Sequence, residues 1–242
     1  MACNYWIQPQ QAPLVYVAPG LSSHRLSPQI LAQAESLYNN GFSVVATTGV
    51  FHPEFMENAS TSQLPAYPPT DCHDLLVEYT EFDRQLEKMF PGRLGKRALV
   101  GLSMGGYQAL FIAAGENKSS TDLIRFDRYV AINSPVDLHY GVKVVDSFYN
   151  APLKWSDQDR QYRINNTLHK GAKLIGAPPI PNSTPPFDAI ESKYIVGLSF
   201  QLTLRDTIFS SQSRNDMGVL KTPLSNWNRE KCYQEIFELL VP

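Results

Sequence analysis

The sequence predicts an α/β domain: a parallel sheet of about four recognisable strands with helices on both faces. Three observations predict it. Short apolar runs bounded by Gly and Pro alternate with longer stretches whose apolar residues recur every three or four positions. The connections between successive runs are long enough for right-handed parallel crossovers. One run, Arg97-Ala98-Leu99-Val100, passes through Gly101-Leu102-Ser103-Met104-Gly105 straight into a helical stretch of small residues.

The first strand is Leu14-Val15-Tyr16-Val17-Ala18, apolar throughout as a strand buried on both faces should be, and stopped by Pro19-Gly20. A helix follows over residues 28–40, with Ile30, Leu31, Ala34, Leu37 and Tyr38 on one face, Pro28 in the first turn and Gly41 at the stop. Residues 42–46 give the second strand. Residues 49–70, rich in Pro, Ser, Thr and Asn, read as a long loop at the C-terminal end of that strand, where loops often line sites. Asp71 is placed to cap a helix running to about residue 90, whose face carries Leu75, Leu76, Tyr79, Phe82, Leu86 and Met89. The third strand is residues 97–100, the next helix residues 105–114, and the fourth strand residues 129–132.

After Pro135 the pattern becomes helical: about 140–176, then 187–211, then 229–241, with a Pro-rich linker around 177–186. The run around Ile195 to Leu204 also alternates briefly like a strand, but the helical face Ile190, Tyr194, Ile195, Leu198, Leu202 and Ile208 spans a longer window and is preferred. The expected organisation is a core over residues 1–136 and a mostly helical region over 137–242 within the same structural unit.

Composition narrows the class. A chain of 242 residues with 43% hydrophobic residues can bury a sizeable core. Its 21 basic and 23 acidic residues leave a net charge of −2 with no long run of either sign, which excludes nucleic acid as an expected partner. No stretch approaches the roughly 20 apolar residues of a membrane-spanning helix. Cys3, Cys72 and Cys232 lie far apart with no C-x-x-C pair, so neither a metal nor another cofactor is expected. Cytoplasm is the default compartment. Cys3 after Ala2 keeps a processed lipoprotein, and so a periplasmic location, as the alternative. Asn-x-Ser/Thr triplets at Asn58, Asn117, Asn165 and Asn182 would matter only in a eukaryotic secretory pathway.

The chemistry gathers at Ser103. A Ser hydroxyl becomes a useful nucleophile when it is exposed, sits beside a base, and attacks where the developing oxyanion is stabilised. A sharp strand-to-helix turn supplies the exposure, and the glycines two residues to either side of Ser103 give the room such a turn needs. The helix that begins there aims its first N–H groups at the site, which makes the N–H of Met104 an oxyanion donor.

With this pentapeptide, the segments Val17-Ala18-Pro19-Gly20-Leu21, Gly41-Phe42-Ser43-Val44-Val45 and Phe126-Asp127-Arg128-Tyr129-Val130-Ala131-Ile132-Asn133-Ser134-Pro135, and the stretch Leu202-Thr203-Leu204-Arg205-Asp206-Thr207-Ile208-Phe209, the chain resembles the α/β-hydrolase superfamily. It resembles most a group of bacterial α/β-hydrolase-like proteins. The resemblance implies an α/β-hydrolase-like parallel sheet and a helical cap-like C-terminal region. It implies a second oxyanion N–H at Leu21, and a small-molecule acyl substrate (ester, thioester or amide) attacked by Ser103. In that superfamily an acid and then a His follow the Ser on loops after later strands. Downstream of Ser103 only His139 and His169 remain, and neither follows a strand. Asp137 offers an acid position and His139, His24 or His52 a base, each with a plainer structural reading. His73, His169 and Asp206 read as helix-surface residues. The chain therefore reads as the N-terminal part of a hydrolase, and two functions stand: a serine hydrolase, or a catalytically incomplete hydrolase-fold fragment that binds partners. Self-association through an open sheet edge accompanies the second.

Overall fold

The computed structural model describes residues 1–21, 23–115, 122–175 and 183–240. The triplets at Asn117 and Asn182, the first part of the Pro-rich linker and the predicted helix end at Val241 lie outside the described residues.

Among the described residues the sheet has five strands, one more than the sequence showed: β1 (Asn4–Trp6), β2 (Ala12–Ala18), β3 (Ser43–Ala46), β4 (Leu94–Leu102) and β5 (Arg128–Ile132), in the order β1-β3-β2-β4-β5. β1 runs antiparallel to β3, with Tyr5 opposite Val45, and every other pairing is parallel. The extra strand is three residues long and half-exposed, too short for any period to show; only its partner makes it a strand.

Side chains of β2 alternate between two cores, as a pleated strand requires. Leu14, Tyr16 and Ala18 pack with Leu75, Tyr79, Phe82 and Leu86 of α3 (Pro68–Met89) and with Ala109 and Ile112 of α4 (Met104–Gly115). Val15 and Val17 pack on the other face with Ile30 and Ala34 of α1 (Pro28–Asn39). Helices thus cover both faces, and a continuous apolar run is the expected signature of such a strand.

The register brings the C-terminal ends of three strands to one edge: Ala18 lies opposite Gly101, Gly101 opposite Ala131, and Leu102 opposite Ile132. The loop after β2, the turn at Ser103 and residues 133–134 all leave from that edge. At the opposite end Arg97 fastens β4 to α3, donating to both Asp83 oxygens at 2.9 and 3.1 Å and to Glu87, while the Tyr16 hydroxyl donates to Asp83 at 3.1 Å. The Arg97 and Asp83 side chains are largely buried, so removing one partner strands the other. Arg97→Met is expected to lower the unfolding free energy by about 2–4 kcal/mol, read as a drop in the urea midpoint at unchanged slope.

Two features of the 49–70 loop differ from expectation. A short helix α2 (Pro53–Asn58) interrupts it, with His52 as its N-cap. The next helix, α3, starts at Pro68 after Tyr67, so Asp71 does not cap it. Asp71 lies buried inside the first turn and accepts the N–H of Ala66 at 2.9 Å. Burial, which outweighs that bond, pushes its carboxyl up to about 6. Asp74, one turn on, accepts from the Thr61 N–H at 2.8 Å. Two buried acids thus tie the loop to the helix.

The chain divides into two compact units, Met1–Val136 with Thr207–Cys232, and Asp137–Asp206 with Tyr233–Pro242. The second contains α5 (Leu138–Tyr149), α6 (Asp157–Leu174), the first part of α7 (Ala189–Arg214) and the end of α8 (Arg229–Leu240). The helical stretch read as 140–176 is broken at Asn150, where Pro152 starts a single 3₁₀ turn, Ala151–Lys154. Within this unit Lys170 pairs with Glu191 at 2.8 Å and the Arg205 guanidinium stacks 4.1 Å over the Tyr233 ring. Among the described residues no helix is long and apolar enough to cross a membrane, and no group of three or more His, Cys, Asp or Glu could hold a metal ion.

Candidate functional site

Ser103 joins the end of β4 to the start of α4 with φ +50°, the left-handed region. A residue other than Gly costs about 1–2 kcal/mol there, so the surroundings must hold it. They do so through its own backbone: the Ser103 N–H donates to Ile132 O at 2.8 Å, and its carbonyl accepts from Tyr107 N at 3.1 Å to open α4. Asn133, next to Ile132 at the end of β5, is also left-handed, with φ +50°. Two such residues stand side by side where the sheet ends.

The pentapeptide glycines are fixed by close approach. A Cβ on Gly101 would fall on the Gly105 carbonyl and 2.5 Å from Gly106 N. One on Gly105 would fall on the Ala18 carbonyl oxygen and 2.5 Å from the Pro19 oxygen. The backbone of α4 is therefore pressed against its own strand and against the end of β2.

The loop after β2 lies against the turn. A Cβ on Gly20 would sit 3.3 Å from Ser103 Cβ and 3.8 Å from Ser103 Oγ. Leu21 follows directly. Among the described residues, neither the Leu21 N–H nor the Met104 N–H donates to a protein acceptor. For Met104 this follows from its place as the first helical residue, whose N–H has no intrahelical partner.

Two histidines occupy the loops next to this one. Ser23 N–H donates to Gly20 O at 3.1 Å, Gly49 N–H to Ser23 O at 3.2 Å, and His52 N–H to Gly49 O at 3.0 Å, which stitches the loop after β3 to the loop after β2. The His24 and His52 rings end 5.1 Å apart, tilted by 41°. His52 is held toward its neutral form, first by burial and then by the neighbouring His24 and Arg25, against the pull of Glu54. Arg25 pairs with Glu54, whose carboxylate also accepts from the Thr48 hydroxyl at 3.3 Å. The sequence marks each histidine singly but not the pair, since their contact joins loops 28 positions apart.

The remaining sequence candidates hold structural posts within their own units. Asp137 caps α5 by accepting Tyr140 N–H at 2.9 Å, and His139 is exposed one residue into that helix. His169 is exposed on α6, with Nδ1 3.0 Å from Asn165 O, and His73 is exposed on α3. Asp206 pairs with Arg205 at 2.9 Å.

No protein-family model matches the chain, and no curated protein matches it. Among solved structures it is similar to an esterase of Pyrococcus furiosus (13% identity over 97% of this chain and 83% of that one, TM-score 0.40). It is also similar to a highly thermostable carboxyl esterase of Bacillus coagulans (16% identity, 87% and 77% covered, TM-score 0.40). A third is Est1E from Butyrivibrio proteoclasticus (18% identity, 45% and 38% covered, TM-score 0.32). The chain spans 38% of the length of Est1E and 50% of that of a cold-adapted esterase from an Arctic intertidal metagenomic library. At these scores the likenesses carry no weight, and the fold rests on the chain's own geometry. A mostly parallel sheet with helices packed on both faces of its central strand β2, and a left-handed Ser at the turn from β4 into α4, is consistent with the α/β-hydrolase-like fold expected from the sequence.

Proposed function

We propose that this chain is a serine hydrolase of ester, thioester or amide bonds, with Ser103 as the nucleophile and the backbone N–H groups of Leu21 and Met104 as oxyanion donors. The observation that carries the proposal is the left-handed Ser103 at the β4–α4 turn with Gly20 packed against its side chain. Strain of this kind persists where the surroundings fix it, and it clusters at reactive positions. Ser103 Oγ attacks the substrate carbonyl carbon, the carbonyl π electrons move to oxygen, and the two N–H groups receive the oxyanion. Collapse expels the alcohol, thiol or amine and leaves an acyl-Ser103 ester, which water hydrolyses. The hydroxyl proton passes to solvent and a solvent proton reaches the departing group, since neither His24 nor His52 is set up to carry it. Each ring already uses Nδ1 to accept a backbone N–H, from Leu26 and from Glu54, both at 3.2 Å.

A fluorophosphonate probe is expected to label Ser103 in the folded protein at neutral pH and to leave Ser103→Ala unlabelled. Absence of label on folded wild-type protein would sink the reading.

One observation favours a second reading, a binding protein. Among the described residues β5 pairs with β4 on one side only, and Val130 (45%) and Ile132 (37%) are exposed on it. An uncovered apolar edge strand invites pairing with another chain. Light scattering would then give an assembly larger than the monomer, and a clean monomer at high concentration would count against it.

A further inference from the structure

His24 and His52 make the same local bond. In each, ring Nδ1 accepts the backbone N–H two residues on, Leu26 for His24 and Glu54 for His52. This is the geometry by which an Asx side chain closes a turn. A neutral imidazole has one donor and one acceptor nitrogen, so accepting at Nδ1 puts the proton on Nε2. Both rings are therefore donors at Nε2, and among the described residues neither Nε2 has a protein partner. With ring centres 5.1 Å apart, the two donors belong to one small patch.

We propose that His24 and His52 form a two-donor subsite for a carboxylate group carried by the substrate that Ser103 attacks. This rests on the hydrolase reading and deepens it. Two N–H donors match the two oxygens of a carboxylate. The charged groups acting on His52 are Arg25 and Glu54, which pair with each other, so among the described residues no unpaired anion there repels the ligand. The same protons argue against two other uses: a general base and a metal ligand both need a lone pair on Nε2, and that position is protonated. The site is within reach of the reaction. A Cβ on Gly20 would lie 3.3 Å from Ser103 Cβ, and the four residues from Gly20 to His24 span at most ~14 Å when fully extended. A substrate with its carboxylate some way along the acyl or alcohol chain from the scissile bond fits that span.

Glutarate, with dimethyl glutarate as the neutral control, tests the subsite in the full chain by ¹⁵N spectroscopy of the histidine rings. Both rings are expected to show a protonated Nε2 and a bare Nδ1 at pH 7.5. Glutarate should shift both Nε2 signals saturably and dimethyl glutarate should not. His24→Asn and His52→Asn, whose Oδ1 can take over the turn bond while the Nε2 donor disappears, should each weaken glutarate binding at least tenfold. Ser103→Ala should bind glutarate as the wild type does. A protonated Nδ1 on either ring, Nε2 signals that ignore glutarate, or unchanged affinity in both Asn variants overturns the proposal; the first two are read on wild-type protein and need no variant to fold. If Ser103 resists the fluorophosphonate while glutarate binds as stated, the hydrolase reading fails and the anion subsite stands. Labelling of Ser103 without glutarate binding gives the reverse.

Discussion

Gly105→Ala is expected to lower the unfolding free energy by more than about 3 kcal/mol, or to leave no folded protein. The added methyl would meet the carbonyl oxygens of Ala18 and Pro19 and, at 2.7 Å, the carbonyl carbon of Ala18. All three are backbone atoms at the end of β2, which is laddered to β3 on one side and β4 on the other. No side chain can rotate away, so either α4 lifts off the sheet or the central strand shifts. Either movement drags on Ser103, whose own N–H is tied to Ile132. Gly171→Ala, inside α6, is the control: among the described residues its methyl would come no closer than 3.5 Å to another atom, Ile195 Cδ1. Gly in a helix costs roughly 0.5–1 kcal/mol relative to Ala, so that variant should be neutral or slightly more stable. Urea denaturation of the two side by side, with far-UV circular dichroism as the probe, checks the contrast; equal stability of the two variants would mean that the elbow is not packed as described.

What could be read from the sequence follows from how local each constraint is. β2 and β3 were legible because a strand buried on both faces must be apolar at consecutive positions, and every residue of β3 is buried. The turn at Ser103 was legible because its glycines are required by atoms within a few residues in sequence or at the end of a neighbouring strand. The start of α3 was misread for the opposite reason. Asp71 has the composition of a cap, but Pro68 and Pro69 already fill the first turn, and Asp71 is used from inside the helix to hold Ala66. β1 exists only through its pairing with β3, and α2 is six residues in a stretch whose composition reads as loop. The histidine pair is tertiary as well: each ring's turn bond is local, and the rings are set side by side by bonds between the two loops, from Gly49 N–H to Ser23 O and from Arg25 to Glu54.

Glu78 is legible in position, three residues after Leu75 and four before Phe82 on the apolar side of α3, but nothing in the sequence shows that its carboxyl stays inside. It is 6% exposed, and both of its carboxyl oxygens are buried without a protein partner among the described residues. Burial pushes its carboxyl up from 4.5 to about 8, with Glu54 adding to the rise and the N-terminal ammonium opposing it. The folded state thus keeps a proton that the unfolded chain loses near pH 4.5. Over that window the unfolded state binds fewer protons than the folded one, so stability falls as pH rises from about 4.5 to about 8 and then levels off. The rise from 4.5 to about 8 corresponds to a loss on the order of 5 kcal/mol, a large share of the roughly 5–15 kcal/mol typical of a domain. Glu78→Met, similar in length and apolar, removes the titration. Near pH 4 the variant should already gain about 1–3 kcal/mol by relieving an unpaired buried polar group. By pH 9 its advantage should have widened by roughly another 5 kcal/mol. Urea midpoints at one-unit steps from pH 4 to pH 9 read this directly. Parallel profiles for wild type and variant would show that Glu78 ionises without cost and is therefore not buried as described.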